Sequence, residues 1–349
     1  MTYIRVIDTG LRTGRENIAH DQAMVECRVE GLTPDSFKFI HFKPCALVGR
    51  HQSLSQELKL DACERLGVQT VRRVTGGGAI YLDEGQLGWA LVCDRRILGT
   101  PHLADITREV CTAAAKGLST LGIEAEFRPR NDIEVGGQKI SGTGGFFDGN
   151  ILIFQGTVLI DLNPERMMSV LNVPAHKLKK RELESAAQRV TCLRELLGYV
   201  PAIDDVQQAI VSGFESHFGF DMCAADLDPV EEERAKLIYD EEIGRDEFVR
   251  EIDNPGARAD VLSGTNEKGN LTAYIRLDGA KNDRIREVIF TGDVFVTPPR
   301  TLFDLEAHLR GKFVRDVRAH IASFFELADI GMISLQPSEF TDAIEDALS

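Results

Sequence analysis

The chain has 349 residues, 43% of them hydrophobic and 27% charged, a globular composition with room for two domains of about 100–200 residues each. A net charge of −15 and the lack of an apolar run long enough to span a bilayer argue against a general nucleic-acid binder and against a membrane protein. Seven dispersed cysteines without a Cys-x-x-Cys pair, and eight histidines without His-x-x-x-His spacing, argue against a disulfide framework or a zinc centre, and the N-terminus lacks a secretory apolar segment, so the expected location is cytoplasmic.

In chain order, 37–42 and 46–48 read as short strands and 54–66 as a helix closed by Gly67. Residues 69–71, 79–81 and 89–92 read as strands, and 106–121 and 206–218 as helices. Between those helices, 133–135, 139–140 and 151–160 read as strands, joined by Gly136-Gly137 and by a glycine-rich segment. Residues 221–253 hold thirteen acidic and four basic side chains, the pattern of a solvated helical face and the natural place for a boundary. Beyond it, 271–277 alternates as a half-buried strand, 278–283 turns, 284–291 is its partner strand, and 302–309 is an amphipathic helix ended by Gly311.

Chemistry concentrates in three places. Arg72 and Arg73 lead into Thr75-Gly76-Gly77-Gly78-Ala79-Ile80-Tyr81, where glycines let backbone amides approach a ligand and guanidinium groups suit phosphate oxygens. A tight turn with solvated arginines is the alternative for this stretch alone. Around Lys139, the run Arg130-Asn131-Asp132-Ile133 precedes a glycine-flanked lysine that can set an ammonium against a phosphate or carboxylate, while Asp132 can hold Mg2+ or orient that lysine. The order is not that of a Walker loop. Finally, Gly156-Thr157 lies in a strand where a residue without a Cβ permits close approach of another backbone or a ligand.

Together and in this order, Arg72-Arg73-x-Thr75-Gly76-Gly77-Gly78-Ala79-Ile80-Tyr81-x-Asp83, Arg130-Asn131-Asp132-Ile133 with Lys139-Ile140-Ser141-Gly142, and Gly156-Thr157-x-Leu159 resemble the lipoate-protein ligase A family within the biotin/lipoate ligase group. Weaker matches are Asn17 to Ala23, Val48 to Gln52 and Arg189 to Leu193, and the later residues resemble an accessory domain through Gly292-Asp293-Val294-Phe295 and Leu305-Glu306 to Gly311.

The resemblance implies an α+β fold: a mixed β-sheet flanked by helices in a catalytic domain over 1–225, then a smaller α/β accessory domain over 226–349 with an acidic helical connection at about 226–255. It implies a monomer that uses ATP and Mg2+ to activate lipoate as lipoyl-AMP, then passes the lipoyl group to a lysine of a carrier protein. The carrier would be a 2-oxoacid dehydrogenase lipoyl domain, a glycine-cleavage H protein or an H-protein-like relative. Arg73 and the 78–81 backbone would meet the nucleotide, and Lys139 the lipoate carbonyl and α-phosphate. Lys177, Lys179, Lys180 and Arg181 fall where relatives have a loop that closes over the adenylate.

The chain departs from many relatives at Leu82, Gln86 and Phe154-Gln155, where histidine or asparagine is common, which bears on acyl-chain preference. An octanoyltransferase of the same fold would need a cysteine nucleophile. No cysteine lies between Arg130 and Thr191, which leaves Cys93 and Cys192 as the candidates for that role. A non-catalytic binder of lipoyl carriers is the third reading, opposed by the presence of both Arg73 and Lys139.

Overall fold

The computed structural model describes residues 2–172, 189–327, 330–333 and 335–349. Its largest element is an eight-stranded mixed sheet. It is built from β1 (Thr2–Arg12), β2 (Ser36–Phe42), β6 (Gln86–Asp94), β7 (Ala125–Arg128), β8 (Asp132–Val135), β9 (Gln138–Asp148), β10 (Ile151–Leu159) and β11 (Phe220–Ala224). The spatial order is β11-β1-β2-β6-β10-β9-β8-β7, with β1 parallel to both of its neighbours and the other pairs antiparallel.

β6 is buried along nearly its whole length, as expected of a central strand covered on both faces. Helices α2 (Leu103–Ser119) and α3 (Ile203–Phe218) cover one face, where Phe37, Trp89, Phe154 and Phe214 interlock. Helix α1 (Gly14–Val29) covers the other, packing Met24 and Val25 on Ile7, Val92 and Ile153.

Beside this sheet, β3 (Cys45–Val48) pairs parallel to β4 (Gln69–Arg72) and antiparallel to β5 (Ile80–Leu82). The glycine loop is the β4–β5 connection, so the small sheet fixes both of its ends.

α4 (Pro229–Ile238) lies against α1: Ala235, Ile238 and Ile243 join Ile18, Ala19 and Ala23 in one apolar cluster. Glu231 in this acidic run is fully buried and ion-paired to Arg5, and Arg234 bridges Glu26 and Glu30. The run is therefore not uniformly a solvated face. Further along, β12 (Leu262–Thr265), β13 (Leu271–Asp278) and β14 (Arg284–Gly292) form an antiparallel sheet. It shares a core with α5 (Thr301–Leu309), α6 (Val317–Leu327) and α7 (Pro337–Leu348).

The ribbon of β15 (Phe295–Thr297) and β16 (Gly331–Ile333) leans on the large sheet. Phe295 and Ile333 pack against Leu103 and Phe147, the Thr297 hydroxyl donates to the Phe147 carbonyl and accepts from its amide, and the Gly292 amide reaches the His51 carbonyl at 3.0 Å.

Three expectations change. The 54–66 helix is two short pieces, Leu54–Glu57 and Leu60–Arg65, because Leu58 takes an extended conformation to bridge Leu171 while the Lys59 amide bonds the Val170 carbonyl at 2.8 Å. The glycine-rich segment after Gly142 is no connector but the continuation of β9 through Asp148, held in register by β10. β1 and α1 are elements that the sequence pattern does not announce. α1 buries Asn17, His20 and Asp21 along with its apolar residues, so it shows no apolar stripe, although its Thr13-x-x-Glu16 capping box marks its start.

Candidate active site

Two adjacent arginines leave β4; both are buried, but they bond to different parts of the chain. Arg72 is completely buried, and its guanidinium donates to the carbonyls of Gly49, Arg50, Gln52, Val249 and Ile252. With every nitrogen committed to backbone, Arg72 is a clamp joining the β3–β4 region to the segment before β12, and its donors are spent there instead of on a phosphate.

Arg73 instead sits inside the glycine loop, which curls around it: Nε and Nη2 donate to the Gly76 carbonyl at 3.0 and 2.7 Å, and Nη2 to Gly78 at 2.8 Å. Its Nη1 is buried without a hydrogen-bond partner among the described residues. A buried charged donor left unpaired is costly, so this atom marks a place for an acceptor such as a phosphate oxygen. Gly77, at φ +99°, makes the turn that a residue with a Cβ resists.

Thr75 is buried and donates to Gln155 Oε1 at 3.1 Å; Gln155 Nε2 in turn donates to Asp21 at 2.5 Å, and Asp21 is ion-paired to Lys38 in the core. This chain of buried polar groups ties the loop's entrance to α1, β2 and β10. Lys38 is a site group that motif reading passes over, although a lysine inside the largely apolar strand 37–42 is an available signal.

The remaining loop residues contribute backbone. Ala79 and Ile80 are half-buried, and Tyr81 turns its side chain into the body of the protein, its hydroxyl bonding Asp83 at 2.9 Å. Leu82 packs in the core with Ile18 and Leu47, and Gln86 braces the next turn through the Asp83 amide and the Asp161 carbonyl at 2.7 and 2.8 Å.

Lys139 opens β9 beside Asp132 of β8, with Nζ 2.7 Å from the carboxylate. Its backbone is clasped by the returning chain: the Lys139 amide donates to Arg189 and its carbonyl accepts from Thr191, at 2.7 and 3.0 Å. Gly142 leaves the space its side chain uses, since a Cβ there would stand 2.8 Å from Nζ. Asn131 holds the strand pair by exchanging bonds with Thr143.

Gly156 answers to packing, because a Cβ would overlap the Trp89 indole; the close approach expected there is that of a core side chain. Thr157 is half-buried on the same strand, facing the Gly142 carbonyl at 3.5 Å. Lys177, Lys179, Lys180 and Arg181 lie outside the described residues.

A third element, absent from the sequence-level site, stands at the glycine loop. Asp293, just after β14, places its carboxylate over the glycine loop, 3.9 Å from where a Gly78 Cβ would lie. Its carboxyl is pushed above the usual range by burial, and opposed in turn by Arg73, Lys139 and Arg130. Its surface is nonetheless exposed, the signature of a group facing into a cleft. Val294 and Phe295 follow it onto the loop: a Cβ on Gly76 would overlap the Val294 carbonyl, and one on Gly77 would stand 2.5 Å from Phe295 Cζ.

Among the described residues no cluster of three or more His, Cys, Asp or Glu could hold a metal by itself. Asp132 and Asp293 are the carboxylates described at this site, a number that suits a Mg2+ held also by phosphate oxygens. No helix of the described residues is long and apolar enough to cross a membrane.

With the fold and this geometry in place, comparison with known proteins assigns the chain. Residues 13–215 match the lipoyl protein ligase A/B catalytic domain, and the chain belongs to that family. Its relatives carry two activities. Octanoyltransferase LipM of Symbiobacterium thermophilum is 25% identical over 267 residues, 70% of this chain and 97% of that protein. Lipoate–protein ligase 1 of Staphylococcus aureus is 28% identical over 191 residues, 54% of this chain and 57% of that protein. The solved structure of LipL1 from P. falciparum, in complex with lipoate, superposes with a TM-score of 0.69 at 16% identity, covers 95% of both chains and shows the same fold.

Proposed function

We propose that this protein is an ATP-dependent lipoate–protein ligase. The observation that carries the reading is Arg73 held inside the glycine loop with its buried Nη1 unpaired among the described residues, beside Lys139 fixed on Asp132. That is a site for an anion with several phosphates. In the first step a lipoate carboxylate oxygen attacks the α-phosphorus, the bond to the bridging oxygen breaks, and pyrophosphate leaves. In the second the amine of a carrier lysine attacks the acyl carbonyl, AMP departs, and the amine proton is lost to solvent.

Negative charge grows on phosphate oxygens in the first step and on the carbonyl oxygen in the second. Lys139 and Arg73, fixed by Asp132 and the loop carbonyls, stabilise it without reorganising. Asp132 is the residue proposed to meet Mg2+, whose charge would offset that of the phosphates. The carrier is a lipoyl-domain protein, and the modified lysine belongs to it.

The cysteines support this choice over acyl transfer through a thioester. Cys93 and Cys192 are fully buried, and burial raises the Cys93 thiol far above its usual range, the wrong environment for a thiolate nucleophile. Cys111, near the site at 3.2 Å from the Thr143 hydroxyl, is buried and pushed up to about 12. The octanoyltransferase reading stays in play through the full-length LipM relative.

Lipoate-dependent release of pyrophosphate from ATP, followed by an intact-mass increase on an apo-lipoyl domain, tests the proposal. Octanoyl transfer from an acyl-carrier thioester without ATP would replace it with the second reading. Retention of full activity by Lys139→Ala would refute the site.

A further inference from the structure

The Asp293 carboxylate lies over the glycine loop that encloses Arg73, whose buried Nη1 has no partner among the described residues, and the two side chains act on each other electrostatically without an ion pair. Asp293 makes no hydrogen bond or ion pair with another side chain among the described residues, although the charges of Arg73, Lys139 and Arg130 all act on it. A carboxylate serving as an internal lock would close onto the free Nη1 of Arg73; here each stays unsatisfied. Both are answered at once by a phosphate oxygen on the guanidinium side with a divalent cation on the carboxylate side. Asp132, already within 2.7 Å of Lys139, brings a second carboxylate to the edge of this space and is felt by Asp293 as a like charge. Two carboxylates beside a polyphosphate repel it unless a cation joins them.

We infer that Asp293, supplied by the accessory part of the chain, joins Asp132 in holding the divalent cation of the bound nucleotide. The inference rests on the ATP reading above. It gives the docking of Val294 and Phe295 on the glycine loop a purpose. That contact, with the Thr297–Phe147 bonds and the Gly292–His51 bond, carries a metal-holding side chain across from a separate core and sets it over the phosphates. The nucleotide site is complete only when the two parts of the chain are docked.

The test is isothermal titration of the full-length protein with ATP at a series of Mg2+ concentrations and in EDTA, on wild type, Asp293→Asn and Asp132→Asn. Asp293→Asn keeps the shape and removes the charge, so docking, followed by thermal unfolding and limited proteolysis, should persist. The expected result is that Asp293→Asn raises the Mg2+ concentration for half-maximal tightening of ATP binding by about tenfold or more, the scale of one lost metal ligand. Metal-free ATP binding should be unchanged or stronger, and combining the two substitutions should add less than the sum of their separate effects.

An unchanged Mg2+ dependence overturns the inference, as does equally tighter ATP binding at every Mg2+ level, which would make Asp293 a mere repellent. If Asp293→Asn undocks the two parts, Phe295→Ala provides the comparison. Identical Mg2+ curves for the two variants would assign Asp293 a packing role and overturn the inference. Wild-type protein that binds no ATP in any condition refutes the ligase reading itself.

Discussion

Replacing Arg72 and replacing Arg73 should fail in different ways. Arg72→Met keeps the length of the side chain but removes a guanidinium that serves five buried carbonyls, those of Gly49, Arg50, Gln52, Val249 and Ile252. Hydrogen bonds to a charged group are worth roughly 1.5–3 kcal/mol each, but these share one donor and are not additive. Dehydration of the buried charge, recovered on substitution, offsets part of the loss. A net destabilisation of about 3–5 kcal/mol is expected, comparable to breaking a buried ion pair. For a chain of this size that lowers the unfolding midpoint by roughly 4–7 °C.

Arg73→Met removes three bonds to two loop carbonyls and should cost far less stability while abolishing nucleotide binding. Differential scanning calorimetry beside ATP titration, both run well below the variant's midpoint, separates the two effects. An Arg72→Met protein with the wild-type midpoint and no ATP binding would refute the assignment of Arg72 as a clamp.

Other substitutions probe the surroundings of the site. Gly144→Ala would drive a methyl group into Phe295 and should loosen the docked ribbon, read as faster amide exchange over 292–297. Lys38→Met, which strands the Asp21 carboxylate in the core, should cost about 3–5 kcal/mol, and adding Asp21→Leu should restore much of it, as chemical denaturation would show. Glu306 is raised to about 8, chiefly by burial, so the folded state holds a proton that the unfolded state gives up near the ordinary carboxyl range. Stability should therefore decline as pH rises from about 4.5 to 8 and level off above. Glu306→Gln, which can still accept from the Phe290 amide, should flatten that decline and melt above wild type at pH 8.5; a parallel pH profile would contradict it.

Much of the site is legible in the order of residues because its chemistry is local. Three glycines after two arginines dictate a loop that turns on itself, and Lys139 between glycine turns falls on a strand beside Asp132, as the alternation there suggests. Side-chain direction is harder to read. Neighbouring residues at the end of a strand face opposite ways, so Arg72 and Arg73 had to part, but only the carbonyls of 49–52 and 249–252 decide which becomes the clamp. The helical period hid α1, since a helix packed on several sides buries Asn17, His20 and Asp21 as well as its apolar residues.

What the sequence determined by itself is the set of groups with the right chemistry: the cationic loop, the lysine with its carboxylate, the strands that carry them and the family they resemble. What only the tertiary structure decided is which of those groups share one space. Asp293 is remote in sequence from both Arg73 and Lys139, and no local pattern links them. They meet because Phe295 buries its ring against Leu103 and Phe147, and because the glycine loop, lacking side chains, lets that strand lie directly upon it. Long-range apolar burial sets that placement, and it is a property of whole surfaces that the order of residues along the chain does not display.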